Sequence, residues 1–104
     1  MLEFHTCLPY SPDVDIEYDA AKDASNRAKH GLSLIHAADL FDAPYFEVED
    51  TRFEYGERRF IAIGVVLGRV HVCVYVWRGP CRRIVSLRRA NRREANAYRQ
   101  AEQG

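Results

Sequence analysis

Residues 59–89 read RFIAIGVVLGRVHVCVYVWRGPCRRIVSLRR, and the fold turns on how this stretch is paired. Three runs rich in β-branched residues, Arg59 to Val66, Arg69 to Trp77 and Arg82 to Leu87, are separated by Leu67-Gly68 and by Arg78-Gly79-Pro80-Cys81, which predicts an antiparallel meander. With Leu67-Gly68 as a tight turn, Val65 pairs with Val70, Ile63 with Val72 and Ile61 with Val74. Ala62 then pairs with Cys73, Phe60 with Tyr75 and Arg58 with Trp77. A turn of even length at Gly79-Pro80 sets Val85 beside Val74 and Leu87 beside Val72, whereas an odd one slips the last strand and exchanges Arg88 for Arg89. One face of this sheet is apolar through its middle and is expected to carry the helices. The opposite face collects Arg58, His71, Tyr75, Trp77, Arg82, Ser86 and Arg88.

Upstream, Ile16 and Tyr18 alternate with Asp15 and Glu17 as a short strand does. Asp19 is placed to cap a helix through about His30, with Gly31 as its stop. Ser33 can cap a second helix whose Leu34, Ala37, Ala38 and Phe41 form an apolar stripe that Pro44 ends, and Tyr45 to Glu49 reads as an edge strand. Downstream, Asn91 and Glu94 have the spacing of a capping box for a last helix that carries Ala95, Tyr98 and Ala101. The expected class is therefore α+β: two short N-terminal helices packed on an antiparallel sheet of about four strands, from three to five, followed by a C-terminal helix. Residues 1–15 read as an irregular N-terminal extension and residues 16–104 as a single domain.

A length of 104 residues suits one domain, and 47% hydrophobic residues with a mean hydropathy of -0.38 describe an ordinary globular composition. No apolar run reaches the roughly 18 residues of a membrane span, and the N-terminus lacks the pattern of a signal peptide. Cys7, Cys73 and Cys81 make an odd set without paired spacing, read as free thiols in a reducing cytoplasm. His5 and Cys7 alone make no metal site, so neither metal nor cofactor is expected. The formal net charge is zero, but residues 1–51 carry a net of -8 and residues 52–104 a net of +8. Thirteen of the fifteen basic residues are arginine, whose planar fork suits phosphate.

Residues 82–93, RRIVSLRRANRR, hold six arginines and no acid. Such a run is commonly a solvated face. Here, however, Arg92 and Arg93 occupy the first turn of a helix, where the dipole disfavours positive charge, and a helix start ringed by arginine suits an anion. On the derived sheet face, arginines can stabilise a phosphate's developing charge and His71 or Tyr75 can move protons, which is what metal-free attack of an RNA 2′-OH on its own phosphate requires. Packing alone also accounts for that His and that Tyr. Trp77 reads either as a cation-π partner of Arg58 or as a base-stacking platform. Lys22, Asn26 and Lys29 share one face of the first helix, with His30 at its end, a second polar cluster that capping and solvation largely explain.

The segments DAAKDASNRAKHG at 19–31, LFD at 40–42, GERRFIAIG at 56–64 and RRIVSLRRANRREANAY at 82–98 together resemble BrnT-type toxins of type II toxin-antitoxin systems, over roughly residues 16–100. The resemblance implies a RelE-like fold and a ribonuclease that arrests translation. It also implies neutralisation by a BrnA-type antitoxin with a ribbon-helix-helix domain, in a hetero-oligomer that reaches operator DNA only through that antitoxin. Lys22, Asn26, Lys29, His30, Gly31, Arg58, Phe60, Tyr75, Ser86, Arg88, Ala90, Glu94 and Tyr98 fall on positions that recur in the family. The expected catalytic set is Arg58, His71, Tyr75, Ser86 and Arg88. Lys22, Lys29, His30, Trp77, Arg82, Arg83, Arg89, Arg92 and Arg93 are expected to contact RNA. The alternative is a basic module that binds RNA or an acidic partner without catalysis.

Overall fold

The computed structural model describes residues 16–103, so the expected N-terminal extension, with Cys7 and the His5–Cys7 pair, lies outside the described residues. Its elements are β1 (Ile16–Glu17), α1 (Ala20–His30), a 3-10 turn (Leu34–His36), α2 (Ala37–Phe41), β2 (Tyr45–Asp50), β3 (Arg59–Val66), β4 (Arg69–Arg78), β5 (Cys81–Arg89) and α3 (Arg92–Gln103). The strands form one sheet in the order β1-β5-β4-β3-β2. β2 to β5 pair antiparallel, as expected. β1 instead lies parallel to β5, with Ile16 opposite Arg82 and Glu17 opposite Arg83, so the sheet is mixed. A parallel neighbour requires a long crossover, and the whole of α1 to β4 supplies it.

The helix ends follow the local chemistry. The Asp19 carboxylate accepts the Ala21 N–H at 2.8 Å, and Gly31, at φ 69°, ends α1 by donating its N–H to the Arg27 carbonyl. Asp23 Oδ1 accepts from both the Ser33 hydroxyl and the Leu34 N–H, which ties α1 to the 3-10 turn. At α3 the capping box is reciprocal: Glu94 N–H donates to Asn91 Oδ1 at 2.8 Å and Asn91 N–H to Glu94 Oε1 at 2.9 Å.

Between β3 and β4 the register is the one derived from Leu67-Gly68, from Val65–Val70 through Phe60–Tyr75. Both turn residues have positive φ, the backbone that twists correctly between antiparallel strands. Arg58 falls just outside β3, so its expected pairing with Trp77 lies beyond the ladder, which begins at Phe60–Tyr75; on the other side of β4, Trp77 faces Arg82. Between β4 and β5 the tight Gly79-Pro80 turn holds the near half in phase, with Arg78 opposite Cys81 and Tyr75 opposite Ile84. A bulge then leaves Val85 without a partner, and Ser86 faces Val74, Leu87 faces Cys73 and Arg88 faces Val72. The expected Val85–Val74 and Leu87–Val72 pairs do not form, because one extra residue exchanges the faces of everything beyond it.

The helices also cover the other face from the one expected. Leu34, Ala37, Leu40 and Phe41 pack on Ala62, Val66, Cys73, Tyr75, Ile84 and Leu87, all of them buried. Size decides this. Ala62, Gly64 and Cys73 form a row of small residues into which α2 sinks, and a Cβ at Gly64 would lie 3.0 Å from Leu40 Cγ. The β-branched face has only α3 over part of it, through Tyr98, whose ring meets Phe46 edge-on at 5.5 Å and whose hydroxyl donates to the Pro44 carbonyl. Ile61, Ile63, Val65, Val70 and Val74 stay half-buried there. Cys73 is a buried free thiol that desolvation holds in its protonated form, whereas Cys81 is disulfide-bonded, contrary to the reading of every cysteine as free.

Candidate nucleic-acid interface

The single constellation expected on one sheet face divides between two. His71, Tyr75, Trp77 and Arg82 lie under or beside the helices, while the bulge sends Ser86 and Arg88 to the β-branched face. Tyr75 is fully buried, stacked on Phe60, and donates its hydroxyl to Glu47 Oε1 at 2.6 Å. Burial first, and this hydrogen bond second, push its ionisation well above the ordinary phenol value. His71 is buried with Nδ1 at 2.8 Å from the Arg69 carbonyl oxygen. Desolvation lowers its pKa, and the neighbouring charges of Arg89 and His36 add to the shift. Neither ring is exposed to a polymer.

Arg82 turns inward, its guanidinium 4.2 Å from the Phe41 ring centroid and 4.7 Å from that of Trp77, with Nη2 donating to the Tyr45 hydroxyl. It braces an aromatic cluster. Arg58, across the sheet, pairs with Glu49 at 2.9 Å and lies over Phe60 rather than Trp77. Arg83 lies 3.7 Å from Glu17 and 3.9 Å from Asp19. Arg88 is held by Glu94 through two hydrogen bonds of 2.9 and 2.8 Å, the second use of the carboxylate that caps α3.

A different grouping emerges when paired and unpaired cations are separated. Around residues 49–58 and the β4–β5 turn, arginines are matched to acids: Arg52 to Asp50, Arg58 to Glu49, Arg78 to Glu57. Arg59 covers the Tyr55 ring at 4.2 Å. At the other end of the sheet, Arg69, Arg89, Arg92, Arg93 and Arg99 make no ion pair among the described residues, and neither do Lys22 and Lys29 on α1. Arg69, Arg89 and Arg99 line one cleft of about 560 Å³ between the β3–β4 turn and α3, beside Glu102. Arg92 and Arg93 continue the surface along α3. Arg69 and Arg99 escaped the sequence reading. The spacing Arg92, Asn96, Arg99 was the available signal, since i, i+4 and i+7 place all three on one side of a helix.

Two clusters distant in sequence also meet. Lys22, Lys29 and His30 on α1 line a groove with Val85 and Ser86 of β5. Asn26 holds its walls together. Almost fully buried, it donates to the Leu32 and Leu87 carbonyls at 2.9 and 2.8 Å and accepts the Leu87 N–H at 3.1 Å. These bonds occupy the outer edge of β5 beyond the reach of β1, where an unpaired strand edge would otherwise remain.

Among the described residues no group of three His, Cys, Asp or Glu side chains is placed to hold a metal ion, and no helix is long and apolar enough to cross a membrane. Fold and surface together define a small α+β protein that offers unpaired cations, chiefly arginine, at one end of a single sheet. The chain belongs to the BrnT family: a family model described as the ribonuclease toxin BrnT of type II toxin-antitoxin systems matches residues 18–94. That membership gives it RNA as substrate and a protein antitoxin as partner. A comparison with curated proteins finds no match.

Proposed function

We propose that this chain is a cytoplasmic endoribonuclease that arrests translation by cutting RNA without a metal ion, and that a BrnA-type ribbon-helix-helix antitoxin neutralises it and carries the pair to operator DNA. The reaction is a transesterification. The 2′-oxygen attacks the adjacent phosphorus, the bond to the 5′-oxygen breaks, and a 2′,3′-cyclic phosphate and a 5′-hydroxyl result. It needs a proton acceptor, a proton donor and cations around the non-bridging oxygens. The observation that carries the reading is that Arg69, Arg89, Arg92, Arg93 and Arg99 stand without acidic partners at the end of the sheet away from the one where Arg52, Arg58 and Arg78 are neutralised, with Lys29 of α1 likewise outside any ion pair among the described residues. Unpaired guanidinium groups on a surface remain available to phosphates, and their contacts make binding strongly dependent on salt.

Purified protein incubated with single-stranded RNA in EDTA tests this. Fragments ending in cyclic phosphate are expected. RNA that is bound with steep salt dependence yet stays intact identifies a non-catalytic binding module instead.

A further inference from the structure

The groove between α1 and β5 holds what the reaction needs, and its parts are built rather than incidental. Asn26 fixes the α1 wall to β5 through bonds to both backbone groups of Leu87, a separation of 61 residues in sequence. The Val85 bulge turns the facing strand segment so that Val85 and Ser86 line the opposite wall. Gly31 stops the helix immediately after His30, which leaves that imidazole exposed at the groove's end. Lys22 and Lys29 stand along the same wall, without ion pairs among the described residues. The other described imidazoles are less suited: His71 is buried, and His36 lies 3.9 Å from Asp39. Tyr75 is sealed in the core.

We propose that this groove is the reaction centre and that His30 is its proton acceptor, an inference that rests on the ribonuclease reading above. His30 takes the proton of the 2′-hydroxyl as the 2′-oxygen bonds to phosphorus. The ammonium groups of Lys22 and Lys29 hold the non-bridging oxygens, and the Ser86 hydroxyl donates to one of them. As the bond from phosphorus to the 5′-oxygen breaks, Lys29 gives that oxygen a proton, which an ammonium can do and a guanidinium does not. The imidazolium then returns its proton to Lys29 through water, so the protein ends as it began. The strand on either side of the cut runs toward Arg89, Arg92 and Arg93.

The test compares wild type, His30→Gln and Arg78→Gln as purified proteins on a single-stranded RNA in EDTA, from pH 5.5 to 8.5. RNA affinity and thermal unfolding are measured on the same samples. His30→Gln is expected to lose on the order of 100-fold or more in kcat, while RNA affinity and Tm stay near wild type and the acid limb of the rate profile disappears. Arg78→Gln, at the opposite end of the sheet, keeps the wild-type rate and profile. A His30→Gln protein that cleaves within a few-fold of wild type, with the same pH dependence, overturns the groove assignment and leaves the ribonuclease reading standing. Wild-type protein that binds RNA in EDTA and leaves it whole overturns both.

Discussion

Where β4 runs into β5, Arg52, Arg58 and Arg78 are each matched to a carboxylate, and the pairs are local: Asp50, Glu49 and Glu57 lie on β2 or the loop that follows it. Where β5 leaves the sheet for α3, Arg69, Arg89, Arg92, Arg93 and Arg99 stand without such partners. The residue type is the same at both ends, but its employment differs. A matched arginine on a surface stabilises a fold only modestly, because solvent and salt screen the pair. An unmatched one gains no ion pair and repels its like-charged neighbours, so its accumulation leaves a cationic surface open to a polyanion. Counting arginines along the chain locates the basic half. The unpaired end emerges only when their partners are known.

The largest effect expected from breaking this contrast comes from charge removal. Replacing Arg89, Arg92 and Arg93 together by glutamine should weaken binding to single-stranded RNA by on the order of 100-fold near physiological salt, and should reduce the slope of log affinity against log salt by about 2. Replacing Arg52 and Arg78 at the matched end should leave affinity and slope unchanged while lowering the unfolding midpoint, since Asp50 loses the guanidinium that holds its carboxyl well below the ordinary carboxylate range. Filter binding across a salt series, with thermal melts on the same proteins, separates the outcomes. Equal loss of affinity from both sets would erase the distinction between the ends.

A smaller effect is expected at Glu94, which serves both the fold and the cationic surface. Glu94→Gln keeps a side chain able to accept from the Asn91 N–H but frees the Arg88 guanidinium from its carboxylate. Stability should fall by about 1 kcal/mol, in the range of a weakened helix cap, while RNA affinity rises as Arg88 joins the unpaired set. Urea unfolding and RNA titration should therefore move in opposite directions.

The smallest expected effect is a dependence on pH that distinguishes the ends. Burial of His71 beside Arg89 and His36 lowers its pKa from the ordinary 6.5. The unfolded chain then binds more protons between the two values. The associated stability is complete above about pH 6.5 and is lost as pH falls toward the folded value. The matched end responds only at lower pH, since Arg58 and Arg78 hold Glu49 and Glu57 below their ordinary 4.5. As pH is lowered from about 7.5 to about 5, unfolding midpoints should decline in wild type and stay flatter in His71→Phe; parallel curves would remove His71 as the cause.

Much of the architecture was legible because its signals are local. Asp19 and Gly31 bound the first helix, Asn91 and Glu94 start the last, and Leu67-Gly68 sets the β3–β4 register. The bulge at Val85 had no such mark. A valine between an isoleucine and a serine looks like any strand residue, and one unpaired position was enough to move Ser86 and Arg88 to the other face. The choice of face by the helices was written in residue size, in the row Ala62, Gly64, Cys73, while the more conspicuous valine and isoleucine row drew the opposite inference. At the candidate site each half was visible as a cluster. Their meeting depends on Asn26 reaching across 61 residues, which no short-range pattern encodes.

The chain's one tryptophan gives the aromatic brace around Arg82 a practical meaning. Trp77 is 43% exposed, with the Arg82 guanidinium over its ring and the Tyr75 ring edge-on at 5.6 Å. Its emission therefore reports on the matched end alone. RNA arriving at the far end of the sheet should leave intrinsic fluorescence almost silent, whereas denaturant that loosens the β4–β5 turn should change it early, making the indole a built-in optical gauge of integrity rather than of occupancy.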